Sequence, residues 1–190
     1  FPEMINNNFV DAICLGEGES SVIDFVDQID SIKSDKIPDI HNFYIKDKNG
    51  RIHKCAKFND YISNLDDVIF PDREIYYEHK FMFDIPTRAI IAARGCPYKC
   101  GFCFNEKYTE MFGKKNYCRL RSPQSIINEM KLVIEKYPTQ NFHFMDDTFI
   151  MNKKWLFEFL EIYRKEINIP FVCLDTANAI DEEAINELKN

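Results

Sequence analysis

The sequence predicts an α/β fold in which helices pack outside a parallel sheet. Three observations carry that expectation. From residue 87 onward, short apolar runs suited to strands alternate three times with amphipathic runs suited to helices. Helix signals fall where that alternation needs them: Ser122-Pro123 offers an N-cap and a first-turn proline, and Pro138 ends the same run. The 190 residues, 45% hydrophobic and 14% aromatic, suffice to bury one sizeable core.

Taken in order, residues 9–15 (FVDAICL) are a short strand, followed by the turn Gly16-Glu17-Gly18-Glu19. A helical run follows, with Val22, Phe25, Val26 and Ile29 on one face. Residues 42–54 carry Asn49-Gly50 between two alternating stretches, which predicts a hairpin with a tight primed turn. Residues 55–86 hold Pro71, Pro86 and several aspartates without a sustained period, and read as a connecting segment. TRAIIAAR (87–94) is a strand buried on both faces that runs into a cysteine loop. The next helix shows Ile126, Ile127, Met130, Ile134 and Tyr137 on one face. NFHFM (141–145) is a second strand, ending in Asp146-Asp147. Trp155, Leu156, Phe159, Leu160 and Tyr163 mark a second helix, IPFVCLD (169–175) a third strand, and Ala184, Ile185 and Leu188 a third helix. Whether the parallel sheet is open or closed into a barrel, ligands lie at the carboxyl ends of its strands. The cysteine loop, the acidic pair and the segment after Asp175 all fall there.

Composition narrows the function classes. A net charge of −7 argues against a nucleic-acid groove as the main feature. The local basic cluster of Lys114, Lys115, Arg119 and Arg121 is either a solvated loop face or a phosphate or substrate contact. No run of about 18 apolar residues predicts a membrane span, and the opening residues lack a signal-peptide pattern. Seven cysteines, an odd number, point to a reducing, cytoplasmic setting rather than a disulfide scaffold. Cys14, Cys55, Cys118 and Cys173 are scattered and read as ordinary thiols. The missing initiator Met and the helical pattern running into the last residues lead us to expect an internal fragment of a longer protein.

The loop RGCPYKCGFCF places Cys96, Cys100 and Cys103 in a C-x3-C-x2-C spacing. Structural zinc closes its shell with four ligands, and an electron-transfer cluster takes four cysteines. Three thiolates on a cubane leave one iron open to a cofactor or substrate. Gly95 and Gly101 are expected to let the backbone approach such a cluster. Zinc with a remote fourth ligand remains an alternative; His143 is the candidate, although a strand histidine is more often a packing residue. Of the pair Asp146-Asp147, a carboxylate could meet an ammonium group of a ligand or could cap the following turn.

At these residues the chain resembles the radical SAM superfamily, whose signature is C-x3-C-x-aromatic-C, here with Phe102 as the aromatic. The resemblance implies a partial (β/α)6 TIM-type barrel, of which residues 87–190 would be the first three βα units. It implies that the three cysteines hold a 4Fe–4S cluster, that SAM takes the fourth iron, and that Phe102 lies near its adenine. Asp146 or Asp147 would meet the SAM amino group or the substrate. Asn178 stands near where relatives often carry an arginine, and can hydrogen-bond but brings no charge.

Gly16-Glu17-Gly18-Glu19, Asn64-Leu65-Asp66-Asp67 and Arg121-Ser122-Pro123 further resemble the subfamily with a cobalamin-binding domain before the barrel. On that resemblance, residues 1–37 are the tail of a Rossmann-like cobalamin-binding domain and 38–86 a connector with the hairpin. Cobalamin would then belong to the full-length protein. The expected activity is reductive SAM cleavage and C–H functionalisation (methylation, cyclisation or rearrangement) of a small molecule, with flavodoxin or ferredoxin as electron donor and no nucleic-acid partner. The alternatives are a methylthiotransferase-like radical SAM protein and a zinc or Fe–S module without SAM chemistry.

Overall fold

The computed structural model describes residues 2–34, 36–113 and 117–189. These fall into two packed groups, 2–62 with 102–113 and 63–101 with 117–189. Lys114 and Lys115 of the basic cluster lie outside the described residues.

The first group is built on an antiparallel sheet. Strand β1 (Ala12–Cys14) leads through the Gly16 turn into helices α1 (Glu19–Asp27) and α2 (Ile29–Lys33). Strands β2 (Phe43–Lys46) and β3 (Ile52–Lys54) follow, in the sheet order β1-β2-β3. The pairs Ala12↔Ile45 and Cys14↔Phe43 put Phe43 and Ile45 into a small core with Ile40, and Phe25 stacks on Phe43 at 4.5 Å between ring centroids. Asn42, at φ 64 and buried, donates to the Glu17 carbonyl at 2.9 Å and accepts from the Asn59 amide at 2.6 Å.

The β1 strand pairs antiparallel with the hairpin strand β2. Two expectations change here. The helical run divides at Gln28, and Val22 and Val26 are exposed, leaving Phe25 to make the core contact. The hairpin loop is longer than two residues: Asp47 and Arg51 close it, and only Gly50 has a positive φ, at 81°. A primed two-residue turn needs positive φ at both central positions, whereas a longer loop needs one left-handed glycine.

The second group opens with two short helices, α3 (Glu74–Tyr77) and α4 (Lys80–Asp84), inside the segment expected to be irregular. The chain then forms β4 (Thr87–Ile90) and, after a two-residue break, β5 (Ala93–Arg94). Helix α5 (Phe104–Phe112) belongs to the first group, where Phe112 meets Phe58 edge-on at 5.1 Å. Back in the second group come β6 (Arg119–Leu120), α6 (Pro123–Lys136), β7 (Asn141–Phe144), α7 (Lys153–Glu166), β8 (Phe171–Val172) and α8 (Glu182–Lys189).

Strands β4, β7 and β8 form the expected parallel sheet, in the order β4-β7-β8, with Ile90↔Phe144 and Phe142↔Phe171 in register. Phe142 and Phe144 are fully buried and share a core with Ile126, Ile127 and Met130 of α6 and Leu156 and Phe159 of α7. Ser122 Oγ accepts from the Ser125 amide at 3.1 Å and Asn152 Oδ1 from the Trp155 amide at 3.2 Å, so each long helix starts on a side-chain cap. The opposite sheet face is not covered: Ala89, Ile91, Met145, Val172 and Leu174 are exposed. TRAIIAAR is therefore buried on one face among the described residues, not two. Among the described residues no helix is long and apolar enough to cross a membrane.

Candidate functional site

The parallel strands point their carboxyl ends at one rim. From β4 the chain passes through Ile91-Ala92 into β5, and Cys96 follows, half-buried. Gly95 is required here by its neighbour across the β5–β6 ladder. At φ 86°, a Cβ on Gly95 would stand 2.4 Å from the Tyr117 carbonyl oxygen. A Cβ on Gly101 would meet nothing within 4 Å. The close approach at Gly95 is thus to protein backbone.

Cys100 is exposed, and Cys103 is the half-buried residue from which α5 begins, with Asn105 Nδ2 3.5 Å from its Sγ. All three thiols are outside disulfides. Among the described residues no three His, Cys, Asp or Glu side chains converge to metal-holding geometry. The donor chemistry nevertheless fits a thiolate-bound cluster: three thiols outside disulfides, with three and then two residues between them along one short loop. A bound metal supplies the bonds that gather such ligands. Phe102, beside Cys103, is 96% exposed, which excludes core packing as its purpose.

The acidic pair divides. Asp146 is buried, and its Oδ1 accepts from the Ala92 amide at 2.9 Å and the Ala93 amide at 2.5 Å. Burial pushes its carboxyl up to about 6 despite those two bonds. Asp147 is exposed. Asn178 is also exposed, in the turn after β8. His143 lies on β7 in register with Ala89 and Val172; its Nε2 is buried without a hydrogen-bond partner, and among the described residues no metal-ligand group includes it.

The remaining basic residues are not a solvated face. Arg119 is buried, and Arg121 pairs with Glu129, itself almost fully buried. Two rim residues escaped the sequence reading. Asp175 accepts from Thr148 Oγ1 and the Thr176 amide, each at 2.8 Å, and also from the Ile150 amide, tying the start of the α7 segment to the end of β8. Cys118 lies near Cys96 and Asp147, and its thiol is pushed up first by burial, then by Cys96. Neither carries a local sequence signal, because each depends on a strand pairing.

The chain is similar to known proteins. The model of the radical SAM superfamily matches residues 90–190. An uncharacterized methyltransferase of Pyrococcus horikoshii is 27% identical over 182 residues, covering 95% of this chain and 38% of that protein. An anaerobic magnesium-protoporphyrin IX monomethyl ester cyclase of Rubrivivax gelatinosus is 24% identical over 168 residues, covering 85% and 28%. Among solved structures, the cobalamin-dependent S-adenosylmethionine radical enzyme OxsB shares the fold with a TM-score of 0.66 at 16% identity, over 99% of this chain and 26% of that one. The chain thus spans between 26% and 38% of the length of these relatives. With the matched model covering more than half of its residues, the chain belongs to the radical SAM superfamily of enzymes.

Proposed function

We propose that residues 87–190 are the first three βα units of a (β/α)6 barrel in a cobalamin-dependent radical SAM enzyme, with residues 1–37 and 38–86 serving as domain tail and connector. The observation that carries the reading is the C-x3-C-x-Phe-C loop that follows the first parallel strand, past the short β5, in a chain of this superfamily. Cys96, Cys100 and Cys103 would hold three irons of a 4Fe–4S cluster. When bound, the cluster and SAM supply a 5′-deoxyadenosyl radical for C–H functionalisation of a small molecule, with an electron from a flavodoxin or ferredoxin. Phe102, exposed beside Cys103, offers a flat apolar surface to the adenine. Asp147 presents a solvent-facing carboxylate to the SAM ammonium, since the Asp146 carboxylate already serves two backbone amides. Asn178 would add a neutral hydrogen bond at the same rim.

A methyltransferase and a cyclase among the relatives support methylation or ring closure as the reaction class, and the likeness to OxsB supports cobalamin in the full-length protein. The test is anaerobic reconstitution of the full-length protein with iron and sulfide. We expect cluster absorbance, and 5′-deoxyadenosine on adding SAM and a reductant. Each of Cys96→Ala, Cys100→Ala and Cys103→Ala should abolish both. Zinc without iron in the purified protein would replace this reading with that of a zinc module.

A further inference from the structure

Strand β4 does not run straight into the cysteine loop, and five backbone groups at its break have named partners. The Ile90 carbonyl accepts from the Met145 amide at 2.9 Å, and the Ile91 carbonyl from Arg121 Nη1 at 3.0 Å. The Ala92 and Ala93 amides donate to Asp146, and the Ala92 carbonyl accepts from the Arg121 amide at 2.8 Å. Two charged side chains thus replace the ladder that a neighbouring strand would provide. Both are buttressed. The Arg121 guanidinium lies over Phe70 at 5.3 Å and is paired with Glu129, whose other oxygen takes Arg73 at 2.6 Å. The Arg121 carbonyl accepts from Trp155 Nε1 at 2.7 Å. Asp146 is fixed by its place at the end of β7.

Cys96 follows Ala93 after only two residues, Arg94 and Gly95. With an extended step of about 3.3 Å per residue, a shift at the break is carried directly to the first thiolate. Ligand placement tolerates roughly half an ångström. From this geometry we infer that Asp146 and Arg121 are positioning residues for the cluster: they fix the break between β4 and β5, and so set where Cys96 emerges. The inference rests on the cluster reading proposed above. Charged residues outside a ligand shell act this way by orienting the ligands they never touch.

The experiment uses the reconstituted full-length protein and reads two quantities other than turnover: the rate at which a chelator strips iron, and the change in the reduced cluster's electron paramagnetic resonance signal when SAM is added. Asp146→Ala and Arg121→Gln should each lose iron about tenfold faster than wild type and show an altered response to SAM. Asp146→Asn should restore both readouts, because its amide oxygen can take the place of Oδ1. Leu160→Ala, in the core of α7 away from the break, controls for general loss of stability. Equal iron loss in Leu160→Ala at matched melting temperature, or wild-type behaviour in both Asp146→Ala and Arg121→Gln, overturns the proposal. Should Asp146→Ala fail to fold, the comparison of Arg121→Gln with Asp146→Asn carries the same decision. A wild-type protein that takes up no cluster would instead remove the reading beneath it.

Discussion

Asp146 sits 4% exposed with two amides on one oxygen, and burial still outweighs those bonds in holding its carboxyl near 6. The folded-state value lies above the ordinary 3.8, so the native state binds the extra proton between the two. Its contribution to stability is complete below about pH 3.8 and is lost as pH rises through 6. Asp146→Asn removes that slope. Relative to wild type, the Asn variant should therefore gain stability between pH 4 and 7, on the order of 2 kcal/mol, in urea unfolding of the cluster-free protein. Glycines give a second contrast on the same loop. Gly95→Ala meets a carbonyl at a positive φ and should cost about 2 kcal/mol or more, while Gly101→Ala should stay within about 0.5 kcal/mol. The reverse order would show that the loop adopts another backbone.

Elements were legible where the signal was local. The cap Ser122 with Pro123, the face of α6, the aromatic run of α7 and the parallel order of three strands all follow from short-range spacing. Ser122→Ala should lower stability by about 1 kcal/mol in the same unfolding assay, because the Ser125 amide loses its partner. The break between β4 and β5 was not legible: it depends on Asp146, more than fifty residues beyond Ala92, and the apolar run gives no sign of it. Nor was the role of Arg121, because its ion pair with the buried Glu129 leaves no mark in the local run of charges. Helix α5 did carry a signal, Phe104, Tyr108 and Phe112 four apart, that the cysteines beside it overshadowed. Within the site, the spacing of the thiols was plain in the sequence. That Asp146 is buried and Asp147 exposed cannot be read from two adjacent acids in the sequence.

At the scale of the molecule, the parallel sheet carries helices on one face and exposes Ile91, Met145, Val172 and Leu174 on the other, with β8 at its edge. Such a face and edge invite association. In sedimentation experiments the 190-residue chain should self-associate as its concentration rises, and Leu174→Asp should weaken that association. A monomer that melts cooperatively at high concentration would count against this expectation.

The grip of Asp146 on Ala92 and Ala93 also has a kinetic side. These two amides lie outside the regular β4–β7 pairing, yet water cannot reach them until the carboxylate lets go. Their hydrogen-exchange rates therefore time the opening of the rim from within. Two alanines with no chemistry of their own become the clock by which the site's rigidity can be read.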